Sequence, residues 1–142
     1  MLTPAATRYL LAIYRLGEGI RAVRSVDIAN NLSVTRASVV KMLSLLSRDG
    51  LILKEHYGNI QLTPQGIRTA NRICTQVTLL ERFFCCYLGL DAHTAQEDAI
   101  TCLCSLSPQS NEKLVQLALD SSRDDLPPFQ SKGGRISSPT ER

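Results

Sequence analysis

The segment from Ser25 to Leu32 places apolar residues at the spacing of a helix. Ile28, Ala29 and Leu32 fall on one face, which predicts a short helix with that face buried. Ser25 stands where it would cap the first turn, and Asp27 puts a negative charge near the positive end of the helix dipole. The segment is therefore predicted to be the first helix of a helix-turn-helix pair.

A second helix is predicted from Thr35 to Leu46, after a turn at Ser33-Val34. The face that would pack on the first helix is apolar and consists of Val39, Met42, Leu43 and Leu46. The opposite face is small and rich in hydroxyls, and it consists of Thr35, Arg36, Ala37, Ser38, Val40 and Lys41. Such a surface suits the major groove of double-stranded DNA, because Arg36 and Lys41 can donate to guanine edges or phosphates.

Two short β-prone runs follow, at residues 51–57 and 59–62, after a break at Asp49-Gly50. Gly58-Asn59 between the runs tolerates positive φ and predicts a hairpin turn. The side chains expected to touch the DNA backbone or the minor groove beside the helix are Lys54, His56 and Tyr57. The whole arrangement is typical of a winged helix-turn-helix with a two-stranded wing, although similar modules also bind only protein.

The remaining pattern is helical, so the predicted fold is mainly α. Helices are predicted at residues 4–16, 64–87, 92–106 and 108–119, residues 20–24 form a link, and Leu88-Gly89-Leu90 ends the longest helix. Three regions follow: a winged helix-turn-helix domain at 1–66, a helical dimerisation domain at 67–120, and a disordered tail at 121–142. The tail is assigned from its Ser, Pro and Gly content, which leaves little to bury.

Composition and charge narrow the functional classes. No apolar run reaches the length of a membrane span and no secretory signal opens the chain, so a cytoplasmic protein without membrane contact is expected. Residues 1–66 hold eight Lys and Arg against four acids, whereas residues 67–142 hold eight against nine, which favours DNA contact by the first part. The two histidines, His56 and His93, have no nucleophile at a workable spacing, so an enzyme is not expected.

A series of motifs resembles the diphtheria toxin repressor and manganese transport regulator family. They run in order through residues 9–16, 27–29, 38–43, 49–51 and 62–66, and continue at 79–84 and 88–90, so the resemblance covers roughly residues 3–118. The resemblance implies a homodimer with an N-terminal winged helix and a helical dimerisation domain. It also implies binding to palindromic operators in response to manganese or iron.

The family's metal ligands are absent from this sequence. Family members bind the ion through carboxylates and imidazoles on the first helix, the long helix and the next helix, since manganese and iron prefer oxygen and nitrogen donors. The corresponding positions hold Arg8, Leu11, Val77, Ile100, Leu103 and Cys104, and a shift of one residue would bring in Glu97 or Asp98. We therefore expect the manganese or iron site to be lost and no cofactor to be needed.

Five cysteines lie between residues 74 and 104 and leave further kinds of control open. Cys74, Cys102 and Cys104 are the candidates for a thiol redox sensor or for a soft metal such as zinc or copper. A Cys-x-x-Cys spacing is absent, so reduced thiols that fill core space are the favoured interpretation. Control by a partner protein, control by a small ligand in the space of the metal, and no effector at all are further alternatives.

The sequence thus predicts a transcriptional regulator that binds double-stranded DNA at a palindromic operator as a homodimer and needs no manganese or iron. Two competing hypotheses are a winged-helix module for protein interaction and a regulator that responds through its cysteines.

Overall fold

A computed structural model describes residues 2–123 of the chain, without the side chains of His56 and Arg123. The elements in order are α1 (Pro4–Leu16), β1 (Val23–Arg24), α2 (Ser25–Leu32), α3 (Arg36–Arg48), β2 (Ile52–Lys54), β3 (Asn59–Leu62), α4 (Pro64–Leu88), α5 (Ala92–Ser105) and α6 (Pro108–Arg123). The predicted class is confirmed: the described chain is mainly helical, with a winged helix-turn-helix followed by three helices. None of these helices combines the length and apolar character needed to cross a bilayer.

Two hydrophobic cores organise the described residues. The first core joins α1, α2, α3, the small sheet and the start of α4, and its most buried side chains include Leu10, Ile28 and Leu46. The second joins the rest of α4 with α5 and α6 around Val77 and Leu80. The long helix α4 contributes to both, so the change from one core to the other falls within α4.

Helix α1 also faces both cores. Leu10 and Ile13 lie in the first core, whereas Leu11 projects to the other side of the helix and is 2% exposed in the second core. A helix buried on two faces cannot shift against one domain without disturbing its packing on the other. The position of the winged helix is therefore fixed through α1.

The sheet has three antiparallel strands in the order β1-β3-β2, so the predicted hairpin is joined by a strand that the sequence pattern did not predict. Residues 20–24 were interpreted as a link, but Val23 pairs with Ile60 and Arg24 with Asn59. Arg24 has the extended conformation of a strand, and it is also the N-cap residue of α2. Ser25 is the first residue of the helix rather than its cap, and the predicted Ser25 cap is wrong.

The turn of the hairpin differs from the prediction by one residue. A short 3-10 helix spans His56–Gly58, and the positive φ angles belong to Tyr57 at 75° and Gly58 at 77°. Asn59 is extended with φ of −76°, because it already pairs with Arg24 in the sheet. A tyrosine rarely adopts positive φ, so the tip of the hairpin carries backbone strain at Tyr57.

The last helix extends beyond its predicted end. Ser121, assigned to the tail, lies in α6 together with Ser122, and their hydroxyls donate to the carbonyls of Leu117 at 2.8 Å and Ala118 at 2.9 Å. This bonding to the preceding turn lets serines continue a helix that their propensity alone does not favour. The tail was predicted from residue 121, and its remaining residues, 124–142, lie outside the described residues.

Gly66 in the first turn of α4 is predicted to admit no side chain. A Cβ at this position would stand 1.9 Å from the carbonyl oxygen of Leu51, at the point where α4 crosses the start of β2. Gly66→Ala should lower the free energy of unfolding by about 3 kcal/mol or more, because backbone has to move. Gly89→Ala is the control, since it meets no atom within 4 Å and costs only the left-handed conformation, about 1 kcal/mol. Equal losses in urea unfolding would contradict the close packing.

Candidate nucleic-acid interface

A sharp turn sets the direction of α3. Ser33 ends α2 in the left-handed region with φ of 54°, and the chain then extends to Thr35, the N-cap of α3. The Thr35 hydroxyl oxygen accepts from the Ser38 backbone N–H at 3.2 Å, and the same hydroxyl donates to Ser38 Oγ at 2.9 Å. The cap stabilises the start of the helix at the end that carries most of the predicted DNA contacts.

The two faces of α3 divide as predicted. Val39, Leu43 and Leu46 are buried in the first core, with Met42 packed against them. All six residues of the predicted groove-facing surface are exposed: Thr35, Arg36, Ala37, Ser38, Val40 and Lys41. Val40 is 60% exposed, so its apolar side chain is available for contact on the same surface.

The cations of this surface are available for contact. Within residues 2–123, neither Arg36 nor Lys41 belongs to an ion pair; the pairs found there join Arg8 to Glu97, Arg21 to Glu18, Arg24 to Asp27 and Arg48 to Asp49. An unpaired surface cation can bind phosphate without first giving up a protein partner. Arg36 stands in the first turn of α3, where the backbone N–H groups also favour an anion.

A hydrogen bond joins the wing to α3. Lys54 at the end of β2 donates from Nζ to Ser44 Oγ at 3.2 Å, and the Ser44 hydroxyl in turn donates to the Val40 carbonyl at 3.0 Å. The structure thus brings Lys54 beside the exposed face of α3. Ser44 was not among the residues predicted for this surface, although its spacing of four from Val40 and three from Lys41 already placed it on that face.

The tip of the wing projects away from the core. Tyr57 is 100% exposed and Leu53 is 58% exposed. The predicted contact of His56 lies outside the described residues, because its side chain is not described. The wing therefore presents a phenol ring and an apolar side chain to solvent next to Lys54.

The positions that the resemblance assigns to the family's metal ligands do not form a polar site. Leu11, Val77 and Ile100 are all buried in the second core, where they pack together with alanines of α5. Leu103 and Cys104 are partly buried against the same core. The Cys104 sulfur lies 3.5 Å from the Thr7 hydroxyl, and one of the two groups donates to the other.

Arg8, the remaining position, is in an ion pair with Glu97. Its Nη2 lies 2.6 Å and its Nε 2.8 Å from the same carboxylate oxygen, Glu97 Oε2. Asp98, the other acid considered for the site, is exposed on α5. Within the described part of the chain, no three His, Cys, Asp or Glu side chains form a group that could hold a metal ion.

Two of the cysteines have pKa values shifted away from activation. All five are free thiols, and four of them are partly buried against the second core: Cys74, Cys85, Cys102 and Cys104. Burial, reinforced by the charge of Asp98, raises the pKa of Cys102, and burial with Glu81 nearby raises the pKa of Cys85. A reactive thiol needs the opposite shift, because the thiolate is the nucleophile and the metal ligand.

Fold and site together define a winged helix-turn-helix protein with an attached helical domain. A sequence profile described as "Iron dependent repressor, N-terminal DNA binding domain" matches residues 1–60. The HTH-type transcriptional regulator MntR of Lysinibacillus sphaericus (strain C3-41) is 32% identical over 117 residues, which cover 82% of this chain and 84% of that protein. The chain belongs to the diphtheria toxin repressor and manganese transport regulator family, as its motifs predicted.

Solved structures agree with this assignment. The manganese regulator SloR matches with a TM-score of 0.69 and 28% identity, over 82% of this chain and 54% of its own. ScaR with bound Zn²⁺ matches with a TM-score of 0.62 and 26% identity, over 81% of this chain and 53% of its own. The chain therefore spans about half the length of these two structures.

The residues of this chain do not fit the metal that the family implies. Three of the six positions contribute aliphatic side chains to a packed core, and a fourth contributes a guanidinium that is already bound to a carboxylate. A divalent cation prefers several oxygen or nitrogen donors around a polar space. Only Cys104 among the six could bind a metal, and one thiol does not make a site.

Leu11 should contribute to stability as a core residue. Leu11→Ala is expected to lower the free energy of unfolding by about 2–5 kcal/mol, because it removes buried methyl groups from the second core. Leu16→Ala on the same helix is the control and should cost about 1 kcal/mol or less, since Leu16 is 39% exposed. Both values come from urea unfolding. Similar small losses would show that position 11 faces an open site rather than a core.

Proposed function

We propose that this protein is a transcriptional regulator that binds double-stranded DNA at a palindromic operator as a homodimer. The observation that carries the proposal is the division of α3: one face is buried in the winged-helix core and the other is exposed along its length. A helix anchored in this way can lie in the major groove, with residues at its N-terminal end at the base edges. The homologous MntR proteins, named HTH-type transcriptional regulators, support this proposal.

The surface chemistry assigns separate roles to its residues. Arg36 and Lys41 donate to base edges or phosphates, whereas Ala37 and Ser38 allow the helix to approach closely. Lys54 and Tyr57 reach the backbone or minor groove from the wing, and Val40 makes an apolar contact such as one with a thymine methyl group. His56 belongs to the same proposal by its place in the hairpin.

Dimer formation is proposed for the helical half. Leu88, Leu106 and Leu117 are between 38% and 60% exposed in the single chain, although all three are large and apolar. These side chains are available to a second copy of the chain, and the dimer itself is what membership of the family implies. A symmetric pair would present two copies of α3 to a palindromic sequence. Because DNA is the partner, the proposed location is the cytoplasm, and no enzymatic activity is proposed.

Control by manganese or iron is not part of the proposal. The support comes from the residues at the six family positions, which pack against one another and against Glu97. Thiol redox control or binding of zinc or copper through Cys74, Cys102 and Cys104 is the weaker alternative, because burial raises the pKa of Cys102. A protein-interaction module is the alternative from another class, and it would leave Arg36 and Lys41 without a role.

Removing either cation of α3 should weaken DNA binding. The probe is a duplex that the wild-type protein selects from a random-sequence library. Arg36→Ala or Lys41→Ala is expected to cost about 1–3 kcal/mol if a base contact is lost, or to reduce the salt dependence by about one ion if a phosphate contact is lost. Arg82→Ala, on the exposed surface of α4, is the control and should bind as the wild type does. No selected duplex, or full binding by both α3 variants, would contradict the proposal.

Manganese and iron should change neither DNA affinity nor thermal stability. A ligand shifts an equilibrium only if it binds one state better than the other, and this chain presents no donor set for a hard divalent ion among its described residues. Titration of chelator-treated protein with Mn²⁺ or Fe²⁺, read by melting temperature and by binding to the selected duplex, tests this. A rise in either readout would contradict metal independence. Elemental analysis of protein purified without chelator tests the zinc and copper alternative in the same preparation.

A further inference from the structure

Three polar contacts connect α1 of the winged helix with α5 of the helical domain. Arg8 binds Glu97, Thr7 Oγ1 lies 3.5 Å from Cys104 Sγ, and the Arg15 guanidinium faces the side-chain amide of Gln96, whose oxygen accepts from it once the amide is turned toward it. The positions lie along one side of α1 over about two turns. Together with Leu11 between them, these contacts form a seam that joins the two domains, here called the α1–α5 seam.

The strongest contact of the seam is charged and partly shielded. The Arg8 and Glu97 side chains are 33% and 38% exposed, and both close nitrogens of the guanidinium converge on Oε2. An arginine is protonated at every physiological pH, and its fork of donors suits a carboxylate. This cation therefore stays in place without an effector.

We propose that the Arg8–Glu97 ion pair takes the place of the family's divalent ion as the charged connection that holds α1 and the winged helix in the DNA-binding position. The resemblance implies that, in family members, the ion connects the first helix with the long helix and with the helix that follows it. In this chain one residue of the first helix supplies the positive charge and one residue of α5 supplies the negative charge. The inference rests on the proposed function and adds how the two domains are held.

The packing of α1 explains how the seam can affect DNA binding. The side of α1 opposite to the seam carries Leu10 and Ile13, which pack in the same core as Val39 and Leu46 of α3. A change in how α1 sits on α5 is therefore transmitted to α3 through packed side chains. Because a dimer must present both copies of α3 at a fixed spacing, even a small shift weakens binding to a palindrome.

Charge reversal at either partner tests the seam. Arg8→Glu and Glu97→Arg each place like charges in contact, and each is expected to raise the Kd for the selected duplex about tenfold, within the 5–150-fold range typical of coupled sites. The double variant Arg8→Glu/Glu97→Arg restores the pair with the charges exchanged and should return to within about threefold of the wild type, as expected for partners in direct contact.

Glu97→Arg distinguishes the effect of the ion pair from the effect of the protein's net charge on DNA binding. It makes the protein more positive by two charges, and long-range attraction to DNA would then strengthen binding. The seam predicts weaker binding instead. Arg82→Glu is the matched control for Arg8→Glu, because it makes the same charge change on exposed α4 and should weaken binding less. Binding as tight as the wild type by both reversal variants, or no recovery in the double variant, would overturn the proposal.

Folding and domain contact are measured alongside. Circular dichroism checks that each variant is folded. If a reversal variant is not folded, Arg8→Gln and Glu97→Gln replace it, and each should also weaken DNA binding. Unchanged binding by these two variants would overturn the proposal. Amide hydrogen exchange in α1 should be faster in each single variant and restored in the double variant. If the wild type selects no duplex, the proposed function fails. Hydrogen exchange in α1 then still tests whether the Arg8–Glu97 pair holds α1 on α5.

Discussion

The burial of α1 on two sides is the constraint on which the rest of the structure depends. Leu10 and Ile13 complete the core beneath the helix-turn-helix, while Leu11, one position along the chain, lies in the core of the helical domain. The two faces of one helix are rigidly related by its geometry. The direction of α3 relative to α5 and α6 is consequently set by side chains that never approach DNA. The long helix α4 reinforces this relation, because Ala70 lies in the first core and Val77 in the second.

Local rules were sufficient to predict most of the fold. Thr3, Thr35 and Thr63 each accept a backbone N–H within the next turn, and Gly89 ends α4 in the left-handed region, so the local signals at these helix ends are direct. Thr35 is nevertheless the cap of α3, whereas the sequence predicted it as the first residue of that helix. The errors occurred where a distant partner decides the conformation. Strand β1 exists because residues 59 and 60 pair with it, and this pairing moved the start of α2 from its expected cap at Ser25. A strand of two residues has no periodicity to detect.

The candidate interface was predictable to the same extent. The division of α3 into a buried and an exposed face follows from helical spacing, so its exposed residues could be predicted from the sequence apart from Ser44. The bond from Lys54 to Ser44 and the pair of Arg8 with Glu97 were not, since 10 and 89 residues separate the partners along the chain. The sequence could show that Arg8 is not a metal ligand. It could not show that a carboxylate on α5 is placed to neutralise it.

The replacement of all six family positions is physically coherent. A metal site that loses only one or two ligands leaves carboxylates near a core with no cation, and burying an unpaired charge is costly. In this chain Leu11, Val77 and Ile100 fill the space with apolar atoms, so no carboxylate at these three positions is left without a partner. The acid that does remain near the seam, Glu97, has acquired an arginine from the facing helix. The apolar packing at these positions and the pairing of Glu97 with Arg8 are therefore compatible parts of one contact between the domains.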